Sequence, residues 1–348
     1  MKHLARIVKA LVSLAFFAVL FSFVRKSDLA ALCRSVDPLY LALSLLIIPA
    51  QLGVSCLKWK LLIDQPGRKI PFWFLMRMYL IGYYFSNLLP SNVGGDVARS
   101  YYAGRRVGSQ GHAAISVFIE RFTGSVCMLL LVLVCPLLLP GAYRHPAFSA
   151  PAAVALALLA AAAWVARLKR PLPALLGGLR RLLGLAGETG AGSPPAGLRA
   201  RADRALQRAA TKAERIHARL VVAVASLRTD RRKVAAVIAL TVLFYALTWL
   251  NVYWSFRTFG VVVRFRDVVC VLPTAMLVGM LPVTLGSLGI AEGSYVCYFG
   301  LVGVAPAATF AMGLFLRLKL LAVGAAGLAS YLAHAAPTPS LPPEPPPD

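Results

Sequence analysis

Acidic residues, and charged residues in general, are scarce in this sequence. Of its 348 residues only 14% are charged and only 13 are Asp or Glu, whereas 59% are hydrophobic and the mean hydropathy is +0.72. Ordinary soluble domains contain about 25% charged and about 45–50% apolar residues. The composition therefore excludes an ordinary soluble domain and predicts an all-α, polytopic integral membrane protein.

The few acids are outnumbered by 37 Lys and Arg residues, which gives a formal net charge of +24. Anionic lipid headgroups are the first partner that such a chain suggests. Nucleic acid is the competing partner for a basic protein, but here the charge lies between apolar runs and not on a compact reading element. We therefore expect membrane lipids, anionic or phosphate-bearing, as partners, and no nucleic acid.

The sequence also lacks the motifs of metal, disulfide and nucleotide chemistry. Its six cysteines form no CxxC pair and its five histidines are scattered, so neither a zinc site nor a disulfide framework is predicted. No GxxxxGK[ST] segment is present, so nucleotide hydrolysis by this chain is not expected. We predict no metal, no cofactor and no catalytic constellation, and hence a protein that is not an enzyme.

Long apolar runs occupy most of the chain. The first run ends at Val24 and is followed at once by Arg25 and Lys26, so we expect an uncleaved span with a cytoplasmic N-terminus. Lys58 and Lys60 follow the second run and mark its cytoplasmic end. Counting the second run, five further runs are each near the ~20 residues that cross a bilayer: 38–57, 113–139, 147–166, 234–256 and 305–332.

Two other apolar runs, at 72–89 and 268–285, end in clusters of Pro and Gly. If each enters the membrane and returns, Arg105 and Arg106 lie in the cytoplasm, together with the stretch 167–233, which holds 16 of the 37 basic residues. The positive-inside rule favours this arrangement, and it places the C-terminus in the cytoplasm as well. The sequence thus predicts about six full spans and two broken or re-entrant segments.

Three predicted segments lie outside the spans. Residues 184–197 are rich in Gly, Pro, Ala and Ser and are expected to form a flexible cytoplasmic linker. Residues 198–229 place apolar and basic side chains on opposite faces and are expected to form a basic amphipathic helix. Simple positive-inside bias and a specific headgroup contact remain alternative explanations of that helix. The tail 337–348 is Pro-rich and expected to be disordered.

The two broken runs share the pattern Leu-Pro-x-x-x-Gly followed by an acid, at 89–96 and at 281–292. Pro and neighbouring Gly interrupt a helix and free backbone polar groups, which survive at membrane depth only against protein or a water-filled cavity. The pattern therefore predicts a polar site at each break. A kinked structural helix that packs through its glycines is the alternative.

Each half of the chain consists of a span, a broken segment and an Arg-bearing span. The halves cover about 38–139 and about 234–332, with an Arg 31 residues after the Pro of the first pattern and 35 residues after that of the second. Because the first half begins with a span running inward and the second with one running outward, the copies would have opposite topology. Inverted repeats with broken helices are typical of many transporters.

Six charged residues lie in or beside apolar segments, where an unpaired charge costs about 2.5 kcal/mol or more. Glu120 and Arg121 point about 100° apart on a helix and are expected to pair with other elements. We expect Glu120 to pair with a cation such as Arg317, and Asp96 to lie near Arg99 or Arg121. Ion pairs that only hold helices together are the alternative. The six are Asp96, Glu120, Arg121, Glu292, Arg317 and Lys319.

Several of these residues also carry a family resemblance. The run 79–90, with Gly94-Gly95-Asp96 and Glu120-Arg121 after it, resembles the lysylphosphatidylglycerol synthase transmembrane, flippase-like family. The second half, from Leu281 to Arg317, is similar to that family's second signature, and the resemblance covers roughly residues 5–332. It implies a multi-pass protein of the bacterial inner membrane that moves, or helps to move, a lipid between leaflets. In some members this domain is coupled to an aminoacyl-transferase, which the printed sequence does not contain, so lipid aminoacylation by this polypeptide is not expected.

Translocation of a phospholipid or lipid-linked headgroup is the leading hypothesis, either passive or coupled to protons through an acid. Arginines suit its phosphate because their planar guanidinium donates paired hydrogen bonds. A membrane-embedded enzyme or accessory subunit acting on a lipid or polyprenyl-phosphate carrier is the first alternative, and a scaffold for a separate lipid-modifying enzyme is the second. The expected substrate-binding or translocation residues are Asn87, Pro90, Gly94, Gly95, Asp96, Arg99, Glu120, Arg121, Pro282, Gly286, Gly289, Glu292 and Arg317.

Overall fold

The computed structural model describes residues 32, 34–65, 69–88, 93–167, 231–281 and 287–335. These residues form nine α-helices and two short 3-10 helices, and no strand occurs among them. The helices are α1 Pro38–Ile63, α2 Phe72–Leu88, α3 Val93–Val107, α4 Gln110–Val134, α5 Pro146–Arg167, α6 Arg231–Thr258, α7 Phe265–Gly279, α8 Ile290–Gly300 and α9 Pro306–Ala335.

The chain divides into two compact units, residues 1–152 with 237–348 and residues 153–236. The first unit contains the site described below. Of the second unit, the structure describes the end of α5 and the first residues of α6. The predicted first span, linker, amphipathic helix and tail lie outside the described residues.

Five helical segments are long and apolar enough to cross a membrane: Pro38–Ile63, Gln110–Leu138, Pro146–Trp164, Arg231–Thr258 and Pro306–Ala333. They coincide with five of the six predicted spans, so the prediction of a multi-pass membrane protein is confirmed. The first of these helices is longer than the predicted span. α1 continues for five residues beyond Lys58 and is capped by a backbone hydrogen bond from Asp64 to the Lys60 carbonyl.

Local sequence signals explain where two of the long helices begin. Asp37 caps α1, accepting hydrogen bonds from the backbone N–H groups of Leu39 and Tyr40, and Pro38 occupies the first helical position, where its missing N–H costs nothing. Ser109 caps α4 by accepting the backbone N–H of His112. These caps satisfy N–H groups that hydrocarbon could not.

The two broken runs each form a short helix, a break and a second short helix. α2 has 17 residues and α7 has 15, both too short to be counted among the candidate spans. Residues 89–92 and 282–286 of the breaks lie outside the described residues. Gly94, Gly95 and Asp96, which we expected within the break, instead form the first turn of α3. Glu292 likewise lies in the first turn of α8.

The two halves contain the same order of helices. α1 to α4 and α6 to α9 each run as a long helix, two short helices around a break and a long helix. Within each half the two short helices pack against each other and the second of them packs against the following long helix. Between halves the packing is reciprocal, because α9 packs on α2 while α4 packs on α7.

Contacts between helix ends show how these helices are directed. The ring of His112, near the start of α4, lies 2.9 Å from the Ile63 carbonyl at the end of α1, so α2 and α3 leave from and return to the same end of α1. The backbone N–H of Asp37 donates to the Thr258 carbonyl at 2.9 Å, which places the end of α6 beside the start of α1. These contacts favour the inverted repeat, which stays a prediction.

Each half has its own apolar core. Trp59, Leu75 and Met78 belong to the core of the first half, and Phe256 and Phe299 to that of the second. Many Leu, Ile and Val side chains on the candidate spans are not covered by neighbouring helices and remain exposed. That exposure is expected of surfaces that face lipid.

Candidate functional site

Four charged residues meet where α3 packs against α4. Arg99 is 1% exposed, and its Nη2 lies 2.7 Å from Glu120 Oε2 and 3.1 Å from Asp96 Oδ1. Arg121 also contacts Asp96, with Nη2 2.9 Å from Oδ1. Glu120 and Arg121 thus pair with other residues, as predicted, and Asp96 contacts both arginines that were named for it. The expected pairing of Glu120 with Arg317 is wrong, because α4 meets α3 and not α9 at this point.

The Arg99–Glu120 pair is enclosed by aromatic rings. The Arg99 guanidinium carbon lies 5.0 Å from the centre of the Trp59 ring and 4.4 Å from that of Tyr79. The Tyr79 hydroxyl donates to Glu120 Oε1, and Trp59 Nε1 donates to Ser116 Oγ at 3.0 Å. A buried charge needs such compensation on every side. We missed Trp59 as part of this cluster, since one Trp near the end of an apolar run carries no signal for its partner.

The Asp96–Arg121 pair differs from its neighbour in exposure. The Arg121 side chain is 58% exposed and that of Asp96 is 22% exposed, against 2% and 7% for Arg99 and Glu120. Arg121 holds Asp96 through Nε as well as Nη2, with both Nε distances at 3.1 Å. A fork of this kind is geometrically suited to exchange one anion for another.

The second half contains an equivalent pair. Arg317 Nη2 lies 2.8 Å from Glu292 Oε1, and the other carboxylate oxygen accepts the backbone N–H of Gly289 at 2.7 Å. In both halves 25 residues separate acid from arginine. Arg121 and Arg317 are each the twelfth residue of their helix, since α4 begins at Gln110 and α9 at Pro306. The acid therefore fixes the helix after each break to the following long helix.

A third charged group was expected to need a partner, but its partners could not be predicted. Lys319 is 5% exposed, and its Nζ donates to Asn251 Oδ1 at 2.5 Å and to Ser255 Oγ at 2.9 Å. Asn251 in turn donates to Gln51 Oε1 at 3.3 Å. The sequence indicates this network only through Asn251 and Gln51, which are single polar residues within apolar runs.

Three cavities adjoin these groups. The Lys58 cavity, of about 250 Å³, is lined by Lys58, Glu120 and Arg121 among others. The Lys319 cavity, also about 250 Å³, lies beside Gln51, Asn251 and Lys319. The Arg317 cavity, of about 240 Å³, lies beside Glu292 and Arg317.

Each pair of cavities shares wall residues. Tyr83 and Phe244 line both the Lys58 and the Lys319 cavities. Leu316 and Leu320 line both the Lys319 and the Arg317 cavities. Met276 and Met280 line both the Arg317 and the Lys58 cavities. The three cavities are therefore neighbours, and each has a basic side chain in its wall.

The remaining expected site residues serve the packing of the breaks or lie outside the description. Asn87 Nδ2 donates to the Leu320 carbonyl of α9 at 3.1 Å. A Cβ at Gly95 would lie 2.1 Å from the Gly82 carbonyl oxygen, so α3 and α2 touch through their backbones. Gly289 has φ +84°, a value that favours glycine. Gly94 lies in the first turn of α3, whereas Pro90, Pro282 and Gly286 lie outside the described residues.

Taken together, apolar spans, short helices at two breaks and buried ion pairs define a multi-pass membrane protein with a polar interior. Residues 6–327 match the family described as the lysylphosphatidylglycerol synthase TM region. Because this match extends over nearly the whole chain, the protein belongs to that family. No curated protein and no solved structure shows significant similarity to it.

Proposed function

We propose that the protein moves a phospholipid, or a lipid-linked headgroup, between the leaflets of the bacterial inner membrane. The observation that carries this proposal is the set of three adjoining cavities, each with a basic side chain in its wall. A headgroup that crosses a membrane needs polar surroundings at every depth, while its acyl chains can stay in the bilayer. Membership of the family supports a role in lipid handling.

The two acid–arginine pairs act in this proposal as exchangeable contacts. An incoming phosphate takes the place of the Asp96 carboxylate on Arg121, and the carboxylate takes the arginine back when the phosphate leaves. Glu292 and Arg317 do the same in the second half, where Arg317 is 20% exposed. The pairs therefore keep each arginine neutralised between substrates, which lowers the cost of holding it in the membrane.

The buried Arg99–Glu120 pair has a different role. Arg99 is almost fully buried and contacts the rings of Trp59 and Tyr79, so no headgroup can reach its guanidinium without unpacking the cluster. Glu120 lines the Lys58 cavity, but its oxygens are engaged by Arg99 and Tyr79. We assign this pair to positioning α3 against α4. Arg99 and Glu120, which the sequence placed among the substrate-binding residues, therefore support the site from behind it.

The proposal is tested with the purified protein in liposomes that carry a fluorescent phospholipid in both leaflets. A membrane-impermeant reductant bleaches the outer label, and inner label becomes accessible only if lipid moves. Mass spectrometry of the recovered lipid reports headgroup modification in the same sample. Lipid movement with unchanged headgroups supports translocation, whereas modified headgroups without movement support the enzyme.

A further inference from the structure

Lys319 is a buried lysine whose hydrogen-bond partners are all neutral. Its Nζ donates to Asn251 Oδ1 at 2.5 Å and to Ser255 Oγ at 2.9 Å, and the Ser44 carbonyl at 3.5 Å is a third, longer contact. Among the described residues no carboxylate lies at ion-pair distance from Nζ. An ionisable group inside a membrane usually serves the path of an ion or a substrate, and this one has no counter-charge that would make it part of an ion pair.

The helices around Lys319 bring no other charge to it. α1 and α6 face it with a backbone carbonyl, amides and a hydroxyl. From α2, Tyr83 is the other titratable residue in the described wall of the Lys319 cavity. On α8, Glu292 and Tyr295 line the Arg317 cavity instead. Gain or loss of a proton by Lys319 is therefore not tied to a neighbouring charge.

The three partners of Lys319 suit both its charged and its neutral form. An ammonium has three N–H donors, and three acceptors surround it here. A neutral amine keeps two N–H groups for Asn251 Oδ1 and the Ser44 carbonyl, and its lone pair can accept the Ser255 hydroxyl once that hydroxyl turns round. The hydroxyl now donates to the Asn251 carbonyl at 2.5 Å. The helical backbone of α6 also bonds this carbonyl, so the reversal leaves no polar group unpaired.

The acids of the site lack this property. Asp96, Glu120 and Glu292 each contact an arginine. Adding a proton to any of them removes the charge that holds that arginine. A lysine with neutral partners therefore suits the uptake and release of a proton better than these carboxylates do.

The Lys319 cavity can supply the partner for that proton. Its volume of about 250 Å³ is several times the roughly 30 Å³ that one water molecule occupies in the liquid. It shares wall residues with both the Lys58 and the Arg317 cavities. Water in this cavity can take a proton from the ammonium and return one to the amine.

We propose that Lys319 binds and releases one proton in each transport cycle and thereby couples lipid movement to a proton gradient. This inference rests on the proposed function and names the ion that drives it. On release, the ammonium passes one proton to water, which leaves a neutral amine and a hydronium ion. Uptake reverses this transfer, and no other covalent bond forms or breaks.

The position of Lys319 on α9 links the proton to the site. Arg317 lies two residues earlier, so the two side chains point about 200° apart. Arg317 holds Glu292 of α8, whereas Lys319 bonds Asn251 and Ser255 of α6. Hydrogen bonds from an ammonium are roughly twice as strong as neutral ones. Protonation therefore draws α9 toward α6, and release of the proton lets α9 shift toward α8.

The first experiment measures whether a pH difference sets the distribution of lipid between leaflets. Liposomes with wild type, Lys319→Arg, Lys319→Met or Lys69→Met carry short-chain fluorescent phosphatidylglycerol, and potassium with valinomycin holds the membrane potential at zero. Rapid extraction by albumin reads the label in the outer leaflet. If one proton moves with each lipid, a pH difference of one unit shifts the leaflet ratio up to about 10-fold in wild type. Lys69 is exposed, so Lys69→Met is the matched control and should show the same shift.

The two Lys319 variants should lose this shift for opposite reasons. Arginine stays charged in proteins and methionine carries no proton, so neither side chain can alternate between two forms. A wild-type shift in either variant overturns the proposal. Lipid movement by wild type with an unchanged leaflet ratio also overturns it, and this arm needs no variant to fold.

The second experiment observes the proton without any lipid movement. In detergent-solubilised protein labelled with carbon-13 at the lysine Cε atoms, the resonance that is absent from Lys319→Met belongs to Lys319. Its chemical shift should change between the ammonium and the amine positions around neutral pH, where the exposed Lys69 stays an ammonium. A Lys319 resonance that stays at the ammonium position overturns the proposal.

Failure of this inference is distinguishable from failure of the proposed function. Absence of lipid movement in wild type removes translocation and the coupling with it, while a titrating Lys319 resonance leaves the proton site standing. Lipid movement that ignores the pH difference removes the coupling and leaves translocation standing.

Discussion

At the scale of single residues, the two breaks use an acid in the same way. Asp96 and Glu292 each lie in the first turn of the helix after the break and each contact the arginine 25 residues later. The first turn is where backbone N–H groups lack helical partners and favour negative charge. Among the described hydrogen bonds, Glu292 accepts a backbone N–H, from Gly289, and Asp96 accepts from two arginines. Asp96 is also the more exposed of the two acids, at 22% against 3%, which suits it better to exchange.

Asp96→Asn tests that exchange. The amide keeps the size of the side chain but cannot neutralise Arg121, so phosphate that binds Arg121 has no competitor to release it. We expect roughly 10-fold to 100-fold slower lipid movement per folded molecule, the equivalent of one charged hydrogen bond. The Asp96–Arg121 pair is partly exposed, so its loss costs only about 0–1 kcal/mol of stability. The buried Arg99, which Asp96 also contacts, keeps Glu120 as its closer counter-charge at 2.7 Å.

Asp267→Asn is the matched control, because Asp267 faces only Arg266 at 3.8 Å among the described salt bridges and lines none of the three cavities. It should move lipid at the wild-type rate. Wild-type movement per molecule in Asp96→Asn would remove Asp96 from the mechanism.

Glu120→Gln should lower the stability of the protein, whereas Asp96→Asn should lower the rate of lipid movement. Glu120→Gln leaves the buried Arg99 without the closer of its two counter-charges, with only Asp96 at 3.1 Å remaining, and breaking one partner of a buried pair costs about 3–5 kcal/mol. The expected result is a lower melting temperature in detergent and a smaller folded yield, measured by heating followed by size-exclusion chromatography. If the melting temperature of Glu120→Gln equals those of Asp96→Asn and wild type, the Arg99–Glu120 pair does not hold α3 against α4.

The sequence supports predictions of charged contacts only where local spacing limits the choice. Asp96 lies three residues before Arg99, so that contact follows from one helical turn. The partner of Glu120 depended on which helix packs against α4, and spacing carries no information about that. The burial of Lys58, which is 7% exposed, could not be predicted for a similar reason: a lysine after an apolar run has the same local pattern whether it faces solvent or packs inside the protein.

At the scale of helices, close backbone approach holds the elements around each break. A Cβ at Gly327 would lie 2.1 Å from the Leu80 carbonyl oxygen, which brings α9 against α2. Gly82 and Gly95 do the same for α2 and α3. Small residues at helix contacts are the usual means of tight packing in membranes. Gly95 therefore serves the packing of α3 on α2, and the neighbouring Asp96 is polar and paired.

Gly95→Ala tests this packing. The added methyl group would lie 2.1 Å from the Gly82 carbonyl oxygen and 2.2 Å from Ser86 Oγ, so the two helices must separate. Overpacking of this kind typically costs about 1–3 kcal/mol. We expect a lower melting temperature in detergent.

The control for Gly95→Ala is Gly53→Ala. Gly53 lies within α1 and has nothing within 4 Å of an added Cβ. Alanine there should be neutral or stabilising, by up to about 1 kcal/mol from helix propensity. Equal melting temperatures for the two variants would show that the α2–α3 contact is looser than described.

The sequence predicted the existence of the helices better than the position of the breaks. The five described spans follow from uninterrupted apolar length. The breaks were expected to include Gly94 and Gly95, because paired glycines weaken a helix. Both glycines are instead helical, since contact with α2 compensates for their low propensity, and tertiary packing of that kind is not visible in a local pattern.

At the scale of the whole molecule, the arrangement predicts the side of the membrane on which two connections lie. We expect a single cysteine between α3 and α4 to react from the cytoplasm and one at Val262, between α6 and α7, to react from outside, in an otherwise cysteine-free protein. Gly108, in the connection itself, has φ +76°, so a cysteine is better placed at Gly111, in the first turn of α4, where an added Cβ has nothing within 4 Å. Val262 is 82% exposed.

Impermeant maleimide labelling of intact cells and inverted vesicles measures this. Labelling of the Gly111 position only from outside would make α2 and α3 a complete crossing and exclude the inverted repeat. Labelling of both positions from the same side would contradict the opposite directions of α1 and α6.

The central claim is that lipid crosses the bilayer through this protein. The most direct measurement is the fraction of fluorescent phosphatidylglycerol that an impermeant reductant bleaches in liposomes, as a function of protein copies per vesicle. We expect this fraction to rise from the outer-leaflet value toward complete bleaching as vesicles acquire one copy, with much slower bleaching for Asp96→Asn at equal occupancy. If the protein is folded and the vesicles are sealed, a fraction that stays at the outer-leaflet value at every occupancy would contradict lipid movement through this protein.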